Sequence, residues 1–142
     1  MDVSAVGEKV DGLSIYIINL IRFLPPESFD EFDFCVLVNK DLVRPDFRSI
    51  LDNGRFRILE EKIASIGPRR DWNMFWFLKR HKKTFDVIHV LSNWYPIALK
   101  GGVGTIHDIT FKKYFDNPRF TFNFAQIYLD FVIRRAMKNA RR

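Results

Sequence analysis

At 142 residues the chain is long enough to bury a core as one domain. Its 47% hydrophobic and 15% aromatic content excludes a disordered chain, and no apolar run reaches the ~18 residues of a membrane span. The net charge of +6 suits phosphate, nucleic acid or anionic lipid without choosing among them.

Residues 1–11 read as a loop whose start, MDVSAVGEKVDG, is polar and has no signal-peptide core. In GLSIYIINLIRFLPP the apolar Ile15, Ile18, Leu20, Ile21 and Leu24 recur near the helical period. Pro25 and Pro26 end that helix. Phe32 to Asn39 is a short β-rich apolar run, a buried strand. Its Cys35, the lone cysteine, reads as a small core hydrophobe and points to a reducing, cytoplasmic setting. The carboxylates of FDEFDF have no His or Cys within ligand spacing and read as solvated, so no metal is expected.

A short helix is expected over 41–52 with Asp41 as N-cap, then a strand in RFRILE. IASIGPRR reads as a loop, after which Asp71 caps a helix, WNMFWFLKRHKK, with His81 a solvated residue on it. Phe85 to Leu91 is a second buried strand, and GVGTIH a third. ITFKKYFDNP reads as a turn or short helix, and a long helix runs from about Arg119 to Ala140. Helices alternating with nearly all-apolar strands predict an α/β fold, an open parallel sheet with helices on both faces.

In such a sheet ligands bind beyond the carboxyl ends of the strands. Three loops leave those ends: Val3–Gly12, Ser92–Pro96, and the segment starting at His107–Asp108. His107 and Asp108 read either as a polar pair satisfying strand-end backbone groups or as a ligand-facing imidazole with a carboxylate beside it. No nucleophile-elbow motif supports a Ser-His-Asp triad. His89, inside VIHVL, reads as buried and hydrogen-bonded. Gly7 and Gly12 precede a helix whose N-terminus favours an anion, but they form neither GxGxxG nor a P-loop. The basic clusters PRR, KRHKK and RRAMKNARR read as solvated helix faces or as contacts with anionic lipid. Trp72, Trp76 and Trp94 suit a membrane interface, sugar stacking or the core equally. No RNP, helix-turn-helix or zinc signature accompanies the charge, so no nucleic-acid partner is expected.

The segment from FDVIHVL through GVGTIHDIT to FVIRRAMKNA, together with DGLSIYIINLIRFLP, resembles the N-terminal domain of glycosyltransferase family 4. The shared features are a D-V-x-H strand, a T-I-H-D strand end, a helix ending R-R-A-x-x-x-A, and a G-x-x-x-Y-x-x-N-L helix. The likeness is clearest over 11–24 and 85–142.

This resemblance implies one Rossmann-like half of a GT-B fold, the acceptor side of a retaining enzyme. Such an enzyme moves a hexose from a nucleotide-diphosphate sugar to a glycan or lipid-linked acceptor without a bound metal or cofactor. It places Gly12 near the donor phosphates, His107 and Asp108 at the transferred sugar, and Ser92, Asn93 and Trp94 in the acceptor loop. A peripheral contact with an anionic membrane surface accords with the basic clusters. Where many relatives carry Gly-Arg-Tyr, this chain has Ser14-Ile15-Tyr16. The family's donor domain, with its Lys/Arg pair and E-x7-E motif, is not within these 142 residues. The chain is therefore expected to be a fragment cut at both edges and inactive by itself. The other reading is a non-catalytic Rossmann-like binding module.

Overall fold

In the computed structural model, residues 1–7, 11–41, 44–64, 67–81, 83–107 and 124–140 are described, with Ala125 and Gln126 by backbone alone. They form a mixed α/β structure whose strands pair in parallel, in two compact units, residues 1–65 and 66–142.

The first unit opens with helix α1 (Gly12–Arg22). Asp11 caps it: the Ser14 amide donates to the Asp11 carboxylate at 2.7 Å, satisfying an amide that the first turn cannot. The cap holds that carboxyl below its usual range. The helix buries Ser14, Ile17 and Ile21, while Ile15 is exposed. The buried face is thus turned away from Ile15, which the apolar spacing had assigned to it. A one-turn helix, α2 (Ser28–Glu31), follows the proline pair. Strand β1 (Cys35–Asn39) pairs in parallel with β2 (Arg57–Glu61), Leu37 opposite Leu59. Between them lies α3 (Pro45–Leu51), which inserts Phe47 and Leu51 into the core.

Two expectations change here. Helix α3 starts at Pro45, whose fixed φ suits a first helical position, and Arg44 rather than Asp41 is its N-cap. Residues 1–3 are not a loop. Asp2 bridges Leu37 in parallel, the Val3 amide donates to the Leu37 carbonyl at 3.0 Å, and the Leu37 amide donates to the Met1 carbonyl at 2.9 Å. Met1–Val3 therefore lies along the free side of β1. The segment was too short to show a strand period, and its pairing is set by the partner's open edge.

In the second unit, α4 (Pro68–Arg80) leads to two short parallel strands, β3 (His89–Val90) and β4 (Val103–Gly104). The last element is α5 (Phe124–Asn139). Val90, Tyr95, Leu99, Val132 and Ala136 form its core. The close approach at β4 requires glycine. A Cβ on Gly102 would lie 2.8 Å from the Ile88 carbonyl oxygen, and one on Gly104 would lie 2.9 Å from the Tyr95 ring. Residues 109–118, expected to form a turn or short helix, lie outside the described residues, as do the first residues of the expected last helix. Among the described residues no helix is long and apolar enough to cross a membrane.

Helix α4 begins one turn earlier than expected, at Pro68 after Gly67, and Asp71 is not its cap. Instead the Asp71 carboxylate receives the Ile97 amide at 2.8 Å and the Tyr128 hydroxyl on its other oxygen. One side chain thus ties α4 to the 92–97 loop and to α5. Burial, and then the carboxylate, push the Tyr128 phenol far above its ordinary value. His81 closes α4 at its C-cap and is half-buried rather than fully solvated, its ring tilted against Phe77 at 4.7 Å and Phe85 at 5.9 Å.

Removing the Asp71 carboxylate leaves two donors unmatched. Asp71→Ala is expected to lower unfolding free energy in urea by about 2–4 kcal/mol, and Tyr128→Phe by about 1–2 kcal/mol. The double variant should lose clearly less than the sum, because the two changes share one interaction. Additive losses would show that the two side chains act independently.

Candidate functional site

Strands β3 and β4 are parallel, so their carboxyl ends, and the segments leaving them, reach the same edge. The ladder runs by alternate residues: the Val103 amide donates to the Ile88 carbonyl and the Thr105 amide to the Val90 carbonyl, both at 2.9 Å. The next step of that series would be the His107 amide onto the Ser92 carbonyl. The Asn93 side chain takes its place, accepting from the His107 amide through Oδ1 at 2.8 Å. This exchange ends the strand pair early, and it explains why VIHVL and GVGTIH yield only two residues of strand each.

The His107 ring is also held. Its Nε2 lies 3.1 Å from the Leu91 carbonyl oxygen. A carbonyl only accepts, so Nε2 carries a proton, and in the neutral ring Nδ1 bears the lone pair. Main chain and imidazole of His107 are both fixed by the segment that leaves β3. His89 sits one layer below, with Nε2 at 2.8 Å from the Thr105 hydroxyl. Burial lowers its pKa, so its ring is neutral at physiological pH.

Beside this arrangement lies a pocket of about 190 Å³, lined among others by Ser92, Asn93, Tyr95, Thr105, Ile106 and Met137. The Ser92 hydroxyl and the Tyr95 hydroxyl are both buried there without a partner in hydrogen-bonding geometry. Burial raises the Tyr95 phenol's pKa, and the Gly102 amide, close to it but outside hydrogen-bonding geometry, offsets part of that rise. Neither oxygen is open to the pocket surface, so both stand as unsatisfied polar atoms within its walls.

The structure thus brings Ser92, Asn93 and His107 together. Trp94 does not line this pocket: its ring stacks on Tyr128 at 5.9 Å, and its carbonyl faces the Arg70 guanidinium at 3.4 Å. Asp108 lies outside the described residues. Gly12 belongs to the first unit, as the first residue of α1, and nothing lies within 4 Å of where its Cβ would be. The Asp11 carboxylate already occupies that helix end, so a phosphate there would meet a negative charge. Sequence reading missed Tyr95 and Thr105. A lone Tyr before proline and a Thr within an apolar run carry no motif, and their place at the site comes from the register of β3 on β4. Among the described residues no group of three or more His, Cys, Asp or Glu side chains could hold a metal ion. Comparison with protein-family models, with curated proteins and with solved structures finds no match to this chain.

The lowered pKa of His89 sets a pH dependence. The unfolded ring titrates near 6.5 and the folded ring below it. As pH falls through 6.5 the unfolded state binds more protons, so folding stability drops until the folded pKa is passed. The wild type should lose more stability than His89→Gln between about pH 7 and pH 5, read from urea midpoints. A difference that is flat with pH, or that grows in favour of the wild type on acidification, would contradict a half-buried, neutral His89.

Proposed function

We propose that the chain is the acceptor-side half of a retaining GT-B glycosyltransferase, resembling family 4, whose substrates are a nucleotide-diphosphate hexose and a glycan or lipid-linked acceptor. The observation that carries this reading is His107, its amide held by Asn93 and its imidazole by the Leu91 carbonyl, at the carboxyl ends of a parallel strand pair and beside a pocket with buried hydroxyls. Ligands of open parallel sheets bind at that edge. The parallel Met1–Val3, β1 and β2 lines, joined through helices, accord with a Rossmann-like arrangement in the first unit.

In this reading the hydroxyls of Ser92 and Tyr95, closed off in the free pocket, shift to exchange hydrogen bonds with a sugar-like ligand. His107, with Asp108 after it, positions the transferred sugar or supports the charge that develops as the nucleotide diphosphate departs. The acceptor hydroxyl attacks from the same face. The cations that stabilise the departing diphosphate belong to the donor domain, and Gly12 serves at most as a close approach for phosphate. No metal or other cofactor is invoked. A second reading, a non-catalytic binding module, draws support from the same pocket: its volume of about 190 Å³ is below the ~300 Å³ at which small-molecule sites usually begin.

The test combines turnover and binding. The 142-residue chain, incubated with UDP- and GDP-hexoses and simple glycoside acceptors, should release no nucleotide diphosphate. In NMR titrations the same glycosides should shift the His107 ring and the Ser92 and Asn93 amides, and His107→Ala should weaken binding about tenfold, the worth of roughly one hydrogen bond to the sugar. Turnover by the chain alone would overturn the half-enzyme reading. The absence of glycoside shifts at these residues would return His107 to a strand-end structural role.

A further inference from the structure

Helix α4 has no ordinary polar side. Its inner face buries Arg70, Met74 and Phe77. Its outer face carries Trp72, Phe75 and Trp76 at helical spacing, exposed by 62%, 43% and 40% respectively. The three rings form one cluster: Trp72 stacks on Phe75 at 6.3 Å, and Trp76 meets both edge-on at 5.8 and 5.5 Å. Lys79 continues the stripe one turn further, its ammonium 4.7 Å from the Trp76 ring centroid. Arg69 stands exposed at the start of the same face. The helix's one carboxylate, Asp71, is held by Ile97 and Tyr128 away from that stripe.

We propose that this outer face of α4 seats the chain on an anionic bilayer surface. Tryptophan is favoured at headgroup depth, where its ring meets acyl chains and its N–H meets water. A cation over the ring face lets Lys79 reach phosphate while its stem covers the aromatic cluster. The face joins aromatic and cationic residues without a carboxylate, which complements a negative surface. Its size also argues for lipid. Three partly exposed rings offer about 300–400 Å², well under the ~800 Å² per partner of a stable protein interface. Shallow insertion of a few rings assisted by cations suffices for reversible membrane attachment. The inference is independent of sugar transfer, because α4 presents this face whatever the pocket binds.

The test uses vesicles of phosphatidylcholine alone and of phosphatidylcholine with one-third phosphatidylglycerol. The chain should float with the anionic vesicles only, and added salt should release it. In a Trp94→Phe background the remaining tryptophans are Trp72 and Trp76, and brominated lipid should quench their fluorescence. Arg69→Gln and Lys79→Gln should each weaken anionic-vesicle binding about fivefold. Trp72→Ser/Phe75→Ser/Trp76→Ser should abolish it with an unchanged far-UV circular dichroism spectrum. Flotation without bromolipid quenching, or equal binding to neutral vesicles, would overturn the proposal. So would the absence of vesicle binding together with a concentration-dependent dimer that the triple variant loses, which would make the face an interface between copies.

Discussion

The second unit depends on one carboxylate. Asp71 sits in the first turn of α4, yet it is spent on tertiary contacts rather than on its own helix end. By receiving the Ile97 amide it fixes the far end of the 92–97 loop, and by receiving the Tyr128 hydroxyl it fixes α5 against the same point. Trp94 then stacks on Tyr128, and Arg70, buried next to Asp71, turns its guanidinium toward the Trp94 carbonyl. Hydrogen bonds to an ionised group are stronger than neutral ones and fix direction as well as distance. A loop already anchored by the buried Tyr95 is thereby also held at its far end, and its other side shapes the pocket.

That inner side determines where the strand pair stops. A parallel ladder continues while backbone amides meet backbone carbonyls, and here Asn93 substitutes a side-chain carbonyl at the step that would reach His107. The substitution turns the chain out of strand geometry and leaves the His107 ring to be caught by the Leu91 carbonyl. The glycines at and just before β4 belong to the same arrangement. Gly102 admits the Ile88 carbonyl, and Gly104 admits the Tyr95 ring that forms one pocket wall. A strand end, a loop and a pocket wall are thus parts of one packing solution.

How far the sequence revealed this varied with the range of the interaction. Helix α1 was legible because a helical run and a proline pair are local signals, although its Asp11 cap and the side it buries were not: Ile15 is as apolar as Ile17 but faces outward. His89 was legible as a hydrogen-bonded ring because it lies inside an apolar strand run, although it is half-buried rather than buried. Asp71 was misread, since a carboxylate near a helix start is most simply a cap, and only the positions of Ile97 and Tyr128, 26 and 57 residues away, show otherwise. Of the three tryptophans, the local pattern could not separate Trp94, half-buried on Tyr128, from Trp72 and Trp76, which face outward. Exposure belongs to the packed whole and not to a residue's neighbours in the chain.

The pocket beside His107 has an energetic cost that bears on its use. An enclosed hydroxyl without a partner forfeits its hydrogen bonds to water, typically about 1–3 kcal/mol, and Ser92 and Tyr95 both do so at the same place. Replacing them by alanine and phenylalanine would relieve that penalty without disturbing the apolar packing of the Tyr95 ring. Their presence therefore works against stability in the isolated chain. Both oxygens are closed off from the pocket surface, so a ligand with hydroxyls of its own could recover the lost hydrogen bonds only once these side chains shift toward it. A purely apolar ligand could not. In the proposed readings the pocket takes a hydroxylated ligand and the aromatic face of α4 takes lipid, so the second unit would meet two different partners through two different surfaces.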